Sequence, residues 1–453
     1  MKTLIRFLFT VSIHAALPSH AAGQPPNIVL IFIDDMGYAD IGPFGNTTLR
    51  TPHLDKMAAE GMKFTSYYAT PLCSMSRASL MTGCYNTRVS IPGVLFPPDK
   101  IGLNPDEITL AEILKPKGYA TAAIGKWHLG HQPEFLPTRQ GFDYYFGLPY
   151  SNDMGGRKKA GSYPPLPLIR NDESIETDPD QSQLTRRYTE ETIKFMREHK
   201  DGPFFIYLPH TMIHFPLAAS EAFKGKSKSG LIGDAIEEID WSVGEVLSAI
   251  KELGIDDKTL VIFTSDNGPD RRPAPPFRGS KGSCFEGGVR EPCILRWPGK
   301  IPAGTTCGQI IGNIDMLPTF AKLAGVETPR DRVIDGRDFT SLMFDPKAGP
   351  VRDTHLYFGG SKLVDTNLVA IRQGDWKLFP SAPRDTASGG KPNDAANEKN
   401  PPALYNLESD PGETKDVATE HPEIVSKLLD QANKREAEIK EHRRPAGQAA
   451  GAK

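Results

Sequence analysis

Two short apolar runs that lie far apart in the chain each end in a polar cluster, and this pairing constrains the fold more than any other feature. Residues 27–33 run straight into Asp34-Asp35, and residues 259–264 run into Ser265-Asp266-Asn267-Gly268. A continuous apolar stretch rich in β-branched residues has no polar face to show to water. It reads as a strand covered on both faces, as in a parallel sheet. Ligands of open α/β sheets bind beyond the carboxyl ends of the strands, so Asp34, Asp35, Asp266 and Asn267 are expected to meet in space. Residues 120–125 form a third such strand, running into Lys126-Trp127-His128, and residues 204–208 a fourth, running into Pro209-His210 and on to His214.

Helical patterns at 52–60, 108–114, 187–197 and 232–253 alternate with these strands. That order predicts an α/β fold, a mostly parallel sheet with helices on both faces. From about residue 350 the pattern changes. Strand-like pieces at 354–358, 368–372 and 376–379 precede one charged helix at 422–443, which predicts a small antiparallel sheet with a packing helix. Residues 381–402, rich in Gly, Pro, Asn, Asp and Lys, read as a loop, and 444–453 as a flexible tail. The expected division is a leader over 1–22, an α/β domain carrying the site over 23–350, a smaller α+β subdomain over 351–443, and the tail.

The formal net charge of -3 on 453 residues gives no global electrostatic case for binding nucleic acid. Lys2 and Arg6, an apolar run over 7–17, and small residues at Ala21 and Ala22 read as a cleavable signal peptide. No later run approaches the roughly 18 apolar residues of a membrane span. The mature protein is therefore expected to be periplasmic or secreted, without a transmembrane segment. Of the five cysteines, Cys84, Cys284, Cys293 and Cys307 have two open readings, disulfides permitted by an oxidising compartment or buried free thiols.

The fifth cysteine, Cys73, stands four residues before Arg77 at the expected start of a helix that Gly83 would stop. Residues i and i+4 share a helix face, and the free N–H groups of the first turn add positive potential, so the pair reads as a nucleophile beside an anion site. Asp34, Asp35, Asp266 and Asn267 offer only oxygen donors, a set suited to Ca²⁺ or Mg²⁺ over Zn²⁺. Lys126 and His128, two apart on a segment read as extended, are expected on one side with Trp127 on the other. His210 and His214, at i and i+4, offer a zinc pair as an alternative.

The run from Leu72 to Gly83 resembles the signature of the formylglycine-dependent sulfatases, Cys-x-Pro-Ser-Arg followed by Thr-Gly, with Met75 standing where the family has proline. Gly125-Lys126-Trp127-His128-Leu129-Gly130, His214-Phe215-Pro216, Gly279-Ser280-Lys281-Gly282 and the block from Phe285 to Pro292 resemble further sulfatase segments. So do Thr51 to Asp55 and Leu404 to Glu413, and the motif order is nearest to the arylsulfatase A and N-acetylgalactosamine-6-sulfatase branch. The resemblance implies an alkaline-phosphatase-like fold and a sulfuric ester hydrolase acting on an aryl sulfate or a sulfated carbohydrate. It implies that a maturation enzyme oxidises Cys73 to formylglycine, and that this side chain joins Asp34, Asp35, Asp266 and Asn267 around calcium. In the same family pattern Arg77, Lys126 and Lys281 bind the sulfate, His128 contacts the formylglycine and later takes its proton, and His214, alone or together with Lys281, serves the leaving-group oxygen.

Two other readings stay open from sequence. A phosphodiesterase or phosphonate hydrolase of the same superfamily would recognise a similar tetrahedral ester, although its two-zinc members use histidine where this chain has Asp266-Asn267. A non-catalytic binder of sulfated glycans would keep the fold with Cys73 unoxidised, and Met75 is the feature that favours it, since methionine does not fix φ as proline does. The loop over 151–168, with Arg157, Lys158 and Lys159, is expected to line the cleft and could meet a polyanionic glycan.

Overall fold

A computed structural model describes residues 25–156, 163–359, 368–383 and 400–451. The signal segment and Arg157, Lys158 and Lys159 lie outside these residues. The four apolar runs form adjacent central strands, because an unbroken row of Ile, Val, Leu and Phe can be covered only from both sides. Asn27–Ile33 pairs in parallel with Phe204–Pro209 on one side and Thr259–Ser265 on the other, and Ala120–Ile124 pairs in parallel with Phe204–Pro209. Tyr144–Gly147 continues the parallel set beyond Ala120–Ile124. The sheet is mixed at its flanks: Arg290–Arg296 runs antiparallel to both its neighbours, and the hairpin Pro167–Arg170 and Glu173–Thr177 closes the far edge.

Alternation along the first strand divides the core in two. Ile28, Leu30 and Phe32 face the helices Cys73–Thr82, Leu110–Leu114 and Met316–Ala324. Val29, Ile31 and Ile33 face Pro52–Ala59, Leu184–His199 and Gly230–Glu252. This is the three-layer α/β architecture expected from sequence. The register sets Ile33 beside Ser265 and Phe32 beside both Thr264 and Pro209, so the polar residues that follow these strands emerge at one edge.

The C-terminal sheet is antiparallel, in the order Thr354–Phe358, Leu368–Gln373, Trp376–Phe379 and Ala403–Asn406. Its last strand overlaps the Leu404 to Glu413 segment, outside the three strand-like pieces read from sequence. One face packs Leu356, Ile371, Leu378 and Leu404 against Leu428, Ala432 and Ile439 of the helix Pro422–Glu441. The other face turns Tyr357, Ala370 and Phe379 toward Tyr68, Phe285 and Val289 of the main body. The end of the chain differs from the tail that its composition suggests. Gly447–Gln448 pairs with Ile101–Gly102, and the Arg444 guanidinium holds Glu107 at 2.7 and 2.9 Å, partners that composition alone does not reveal.

Candidate active site

The helix Cys73–Thr82 begins where Leu72 leaves the extended conformation and ends at Gly83 in the left-handed region (φ 67°), as its sequence predicts. All ten of its residues are buried. Arg77 is therefore not a surface arginine. Its Nη2 reaches Asp266 Oδ2 at 2.7 Å and Asp34 Oδ2 at 3.8 Å, while Nη1 donates to the Lys126 carbonyl at 2.8 Å and the Tyr207 hydroxyl at 3.3 Å. The Cys73 thiol lies 3.6 Å from Asp34 Oδ1. Burial pushes that thiol up to about 12 against the pull of Lys126 and Lys281, so an unmodified Cys73 is protonated and a poor nucleophile.

Two lysines complete the cluster. Lys126 Nζ sits 2.5 Å from Asp34 Oδ2 and donates to Ser151 Oγ, and Lys281 Nζ lies 2.7 Å from Asp35 Oδ1. Three carboxylates, Asp34, Asp35 and Asp266, thus face three cations, Arg77, Lys126 and Lys281, with little water to separate them. Burial opposes ionisation of Asp34, yet Lys126, His214, Arg77 and Lys281 outweigh it and hold this carboxyl well below its usual range. Asp266 moves the other way: burial and the charge of Asp34 push it up to about 7. Such crowding is what a bound cation relieves.

The donor chemistry fits a hard cation. Ligand atoms of Asp34, Asp35, Cys73 and His214 all lie within 4.8 Å of one another. Asp266 and Asn267 join through Asp35, whose N–H donates to Asp266 Oδ1 and whose Oδ1 accepts from Asn267 Nδ2 at 2.7 Å. Asn267 Oδ1 is buried without a hydrogen-bond partner, an orphaned acceptor of the kind a cation satisfies. The zinc pair does not form. His210 turns away into the core, where its Nε2 meets Ser242 Oγ at 3.2 Å.

The two histidines of the site are pinned in opposite senses by backbone carbonyls. His128 sits in the left-handed region (φ 62°) just past the Ala120–Ile124 strand, not on the extended segment its spacing suggests. The sidedness expected of it still holds, since Trp127 packs into the core. His128 Nε2 lies 2.9 Å from the Leu95 carbonyl, which makes Nε2 the protonated nitrogen and leaves Nδ1 as a buried acceptor without a partner. His214 Nδ1 lies 2.5 Å from the Phe215 carbonyl and 3.0 Å from Asn152 Oδ1, so Nδ1 carries the hydrogen and Nε2 faces Asp35 Oδ2 at 3.8 Å. Beside His214 opens a cavity of about 660 Å³, lined among others by Asn152, Gln181, Phe215, Asp270 and Arg271.

A family model described as "Sulfatase" matches residues 26–326, and one described as "C-terminal region of aryl-sulfatase" matches 351–450. The chain belongs to the sulfatase family. It is 37% identical to arylsulfatase A of Bos taurus, with 90% of this chain and 86% of the relative aligned. It is 39% identical to N-acetylgalactosamine-6-sulfatase of Mus musculus, over 88% of this chain and 84% of the relative. Among solved structures, the PsFucS1 sulfatase from Pseudoalteromonas superposes with a TM-score of 0.82 at 29% identity, covering 94% of this chain and 93% of that one. This sulfatase is accordingly a sulfuric ester hydrolase with an alkaline-phosphatase-like fold.

The ten residues that the sulfatase resemblance assigns to the site come to this edge of the sheet, and His210 of the alternative zinc pair does not. Sequence reasoning missed the neutral groups that hold them. Ser151 and Asn152 orient Lys126 and His214, and Tyr207 supports Arg77. Tyr207 belongs to a recognised strand, but nothing in its spacing distinguishes it from the core tyrosines around it. All five cysteines are free and buried, so both halves of the disulfide question resolve to thiols.

Proposed function

We propose that this sulfatase hydrolyses the sulfate ester of an aryl alcohol or a carbohydrate, with Cys73 converted to formylglycine. In this reading calcium, or magnesium in its place, is held by Asp34, Asp35, Asp266, Asn267 and the side chain of residue 73. The carrying observation is the set of buried ligand atoms from Asp34, Asp35, Cys73 and His214, all within 4.8 Å of one another, beside an Asn267 Oδ1 that no hydrogen bond satisfies. When bound, the dication supplies positive charge and the aldehyde hydrate a nucleophilic hydroxyl.

The chain's own residues then have separable roles. Arg77, Lys126 and Lys281 hold the sulfate oxygens as preorganised cations, stabilising charge as it shifts toward the leaving alcohol. His214, fixed through Nδ1, offers Nε2 toward the leaving oxygen, and it must be protonated there to act as the acid. His128 offers the unpartnered Nδ1 as a base. The adjoining cavity takes the alcohol portion. Its walls mix amides, carboxylates and an aromatic ring, a lining suited to a hydroxylated group.

The division into an α/β domain over 23–350 carrying the catalytic residues and a smaller subdomain over 351–443 belongs to the same proposal. Among the described residues no helix is long and apolar enough to cross a membrane, which fits export by the leader to the periplasm or the exterior. Cys73 is only 1% exposed within a wholly buried helix, so a maturation enzyme must meet it before the chain folds.

The test is to make wild type and Cys73→Ser in the native host. Wild type is expected to show an aldehyde at residue 73 by mass spectrometry, with stoichiometric calcium or magnesium. Cys73→Ser is expected to melt normally and to lose turnover of an aryl sulfate. Wild-type turnover in the serine variant would overturn the aldehyde reading, and stoichiometric zinc in active protein would overturn the metal assignment.

A further inference from the structure

Lys281 reaches Asp35 from an irregular loop, and the ties of that loop run to the C-terminal sheet. Within the loop, Gly279 and Gly282 both adopt left-handed conformations (φ 83° and 87°), which gives the segment few conformational restraints of its own. On the pocket side it is held by the Lys281–Asp35 ion pair and by two backbone bonds, Lys281 N–H to the Pro269 carbonyl and Gly282 N–H to the Pro71 carbonyl. Beyond it, Glu286 is held by the Tyr68 hydroxyl at 2.6 Å and by Arg290 at 3.2 Å, and a second group of anchors is charged and remote in sequence. Lys377 Nζ donates to the Cys284 carbonyl at 2.7 Å and to Glu286 Oε1 at 2.8 Å, and pairs with Glu413 Oε1 at 2.9 Å. Glu413 Oε2 accepts from the Glu286 N–H at 2.6 Å, and the Glu413 carbonyl accepts from Arg278 Nη1 at 3.0 Å.

Both shoulders of the Lys281 loop are thus gripped from the C-terminal piece: Arg278, three residues before it, and Cys284 and Glu286, three and five residues after it. Lys377, Glu286 and Glu413 have no exposed side-chain surface. An ion cluster of this kind is a weak source of net stability, yet it fixes relative position, because Lys377 is held at once by the Cys284 carbonyl, Glu286 and Glu413. We propose that Lys377, presented by the Trp376–Phe379 strand, is a positioning residue that sets Lys281 in the sulfate pocket. The C-terminal sheet is then part of the machinery of sulfate recognition without touching the reacting atoms. This rests on the assignment of Lys281 to the sulfate.

The decisive measurement is a double-mutant cycle on the matured, metal-loaded protein, with Lys377→Met, Lys281→Ala and their combination. Each variant is read by turnover of an aryl sulfate and by competitive inhibition with inorganic sulfate. Lys377→Met is expected to lower kcat/KM and weaken sulfate inhibition by about tenfold to a hundredfold, as loss of an outer-shell partner does. In the Lys281→Ala background it should change either quantity less than about twofold, the non-additivity of residues acting through one another. Lys377→Arg should recover part of the loss. If Lys377→Met does not fold, Glu413→Gln replaces it in the same cycle, since the amide retains an oxygen for the Glu286 N–H. Losses that multiply, or unchanged sulfate inhibition in a folded variant, would overturn the positioning role. Unchanged turnover in Lys281→Ala alone would instead overturn the assignment of Lys281 to the sulfate.

Discussion

The pocket at the strand ends and the joint with the C-terminal sheet are both buried clusters of opposed charges, and they differ in what is left unsatisfied. At the joint, Glu286 gives one oxygen to Lys377 and the other to Tyr68 and Arg290, while Glu413 gives Oε2 to the Glu286 N–H and sets Oε1 against the Lys377 ammonium as an ion pair without a hydrogen bond. In the pocket, Asn267 Oδ1 and His128 Nδ1 have no partner, and His214 opens onto a cavity. Burial and charge pairing are common to both, so they do not by themselves mark chemistry. Acceptors without any charge or hydrogen-bond partner, in a cluster that reaches a cavity through His214, do, because a buried acceptor costs free energy until something fills it.

The comparison breaks most sharply at its two buried cations. Arg77→Met leaves Asp34 and Asp266 short of a partner, and losing one member of a buried pair costs about 3–5 kcal/mol. Turnover should fall on the order of a hundredfold to a thousandfold, the scale of removing one preorganised transition-state donor. The distinguishing readout is calorimetric. Calcium should raise the melting temperature of Arg77→Met by more than it raises that of wild type, because the added cation relieves the uncovered carboxylates. Lys377→Met should show no such gain. An equal calcium response in Arg77→Met and wild type would remove the pocket's claim to be a cation site.

Which parts of this contrast were legible in the sequence follows from how each is encoded. The central strands were legible because an unbroken apolar run has one sensible environment, and their polar ends converge as a geometric consequence of parallel pairing. The cations were legible through their resemblance to sulfatase segments, since an isolated lysine two residues from a histidine says little. The joint was not legible. Glu413 lies 127 residues from the Glu286 N–H it accepts from, and Lys377 sits in a strand whose alternation marks only which side it faces. Ser151 and Asn152 stayed hidden for a related reason, as neutral side chains at the head of a loop carry no periodic signal.

A smaller effect separates the two histidines. Burial lowers His214 below its ordinary value, against the opposing pull of Asp35 and Asp34. Its acid role requires the proton on Nε2, so the active fraction grows as pH falls toward the lowered value and shrinks as pH rises above it. On the alkaline side kcat should drop about tenfold per pH unit, and His214→Gln should flatten this limb. His128 acts as a base and is held neutral by burial and the nearby Lys126 and Arg77, so no acid limb should come from it. A wild-type kcat independent of pH from 5 to 8 would contradict the proposed division of labour.

The smallest expected change is at Met75, where the chain departs from the sulfatase signature. Met75 lies in the first turn of the Cys73–Thr82 helix and is fully buried. Proline in a first turn removes an N–H that has no intrahelical partner, so Met75→Pro should keep the helix, while the smaller side chain in a fully buried site should lower the melting temperature. Its action lies earlier, in the unfolded chain, where proline restricts the segment that a maturation enzyme must recognise. In a host carrying only a standard formylglycine-generating enzyme, the variant should therefore show a higher aldehyde fraction at residue 73 and proportionally higher activity. Activity per aldehyde should be the same in both proteins, since the folded pocket is untouched, and a change in that ratio would place the effect in the pocket instead. In the native host, equal conversion of the two proteins would mean that its maturation enzyme accepts methionine. Thiol alone in every sample from both hosts would leave the glycan-binding reading standing, because a protonated, buried Cys73 has no route to the chemistry proposed for it.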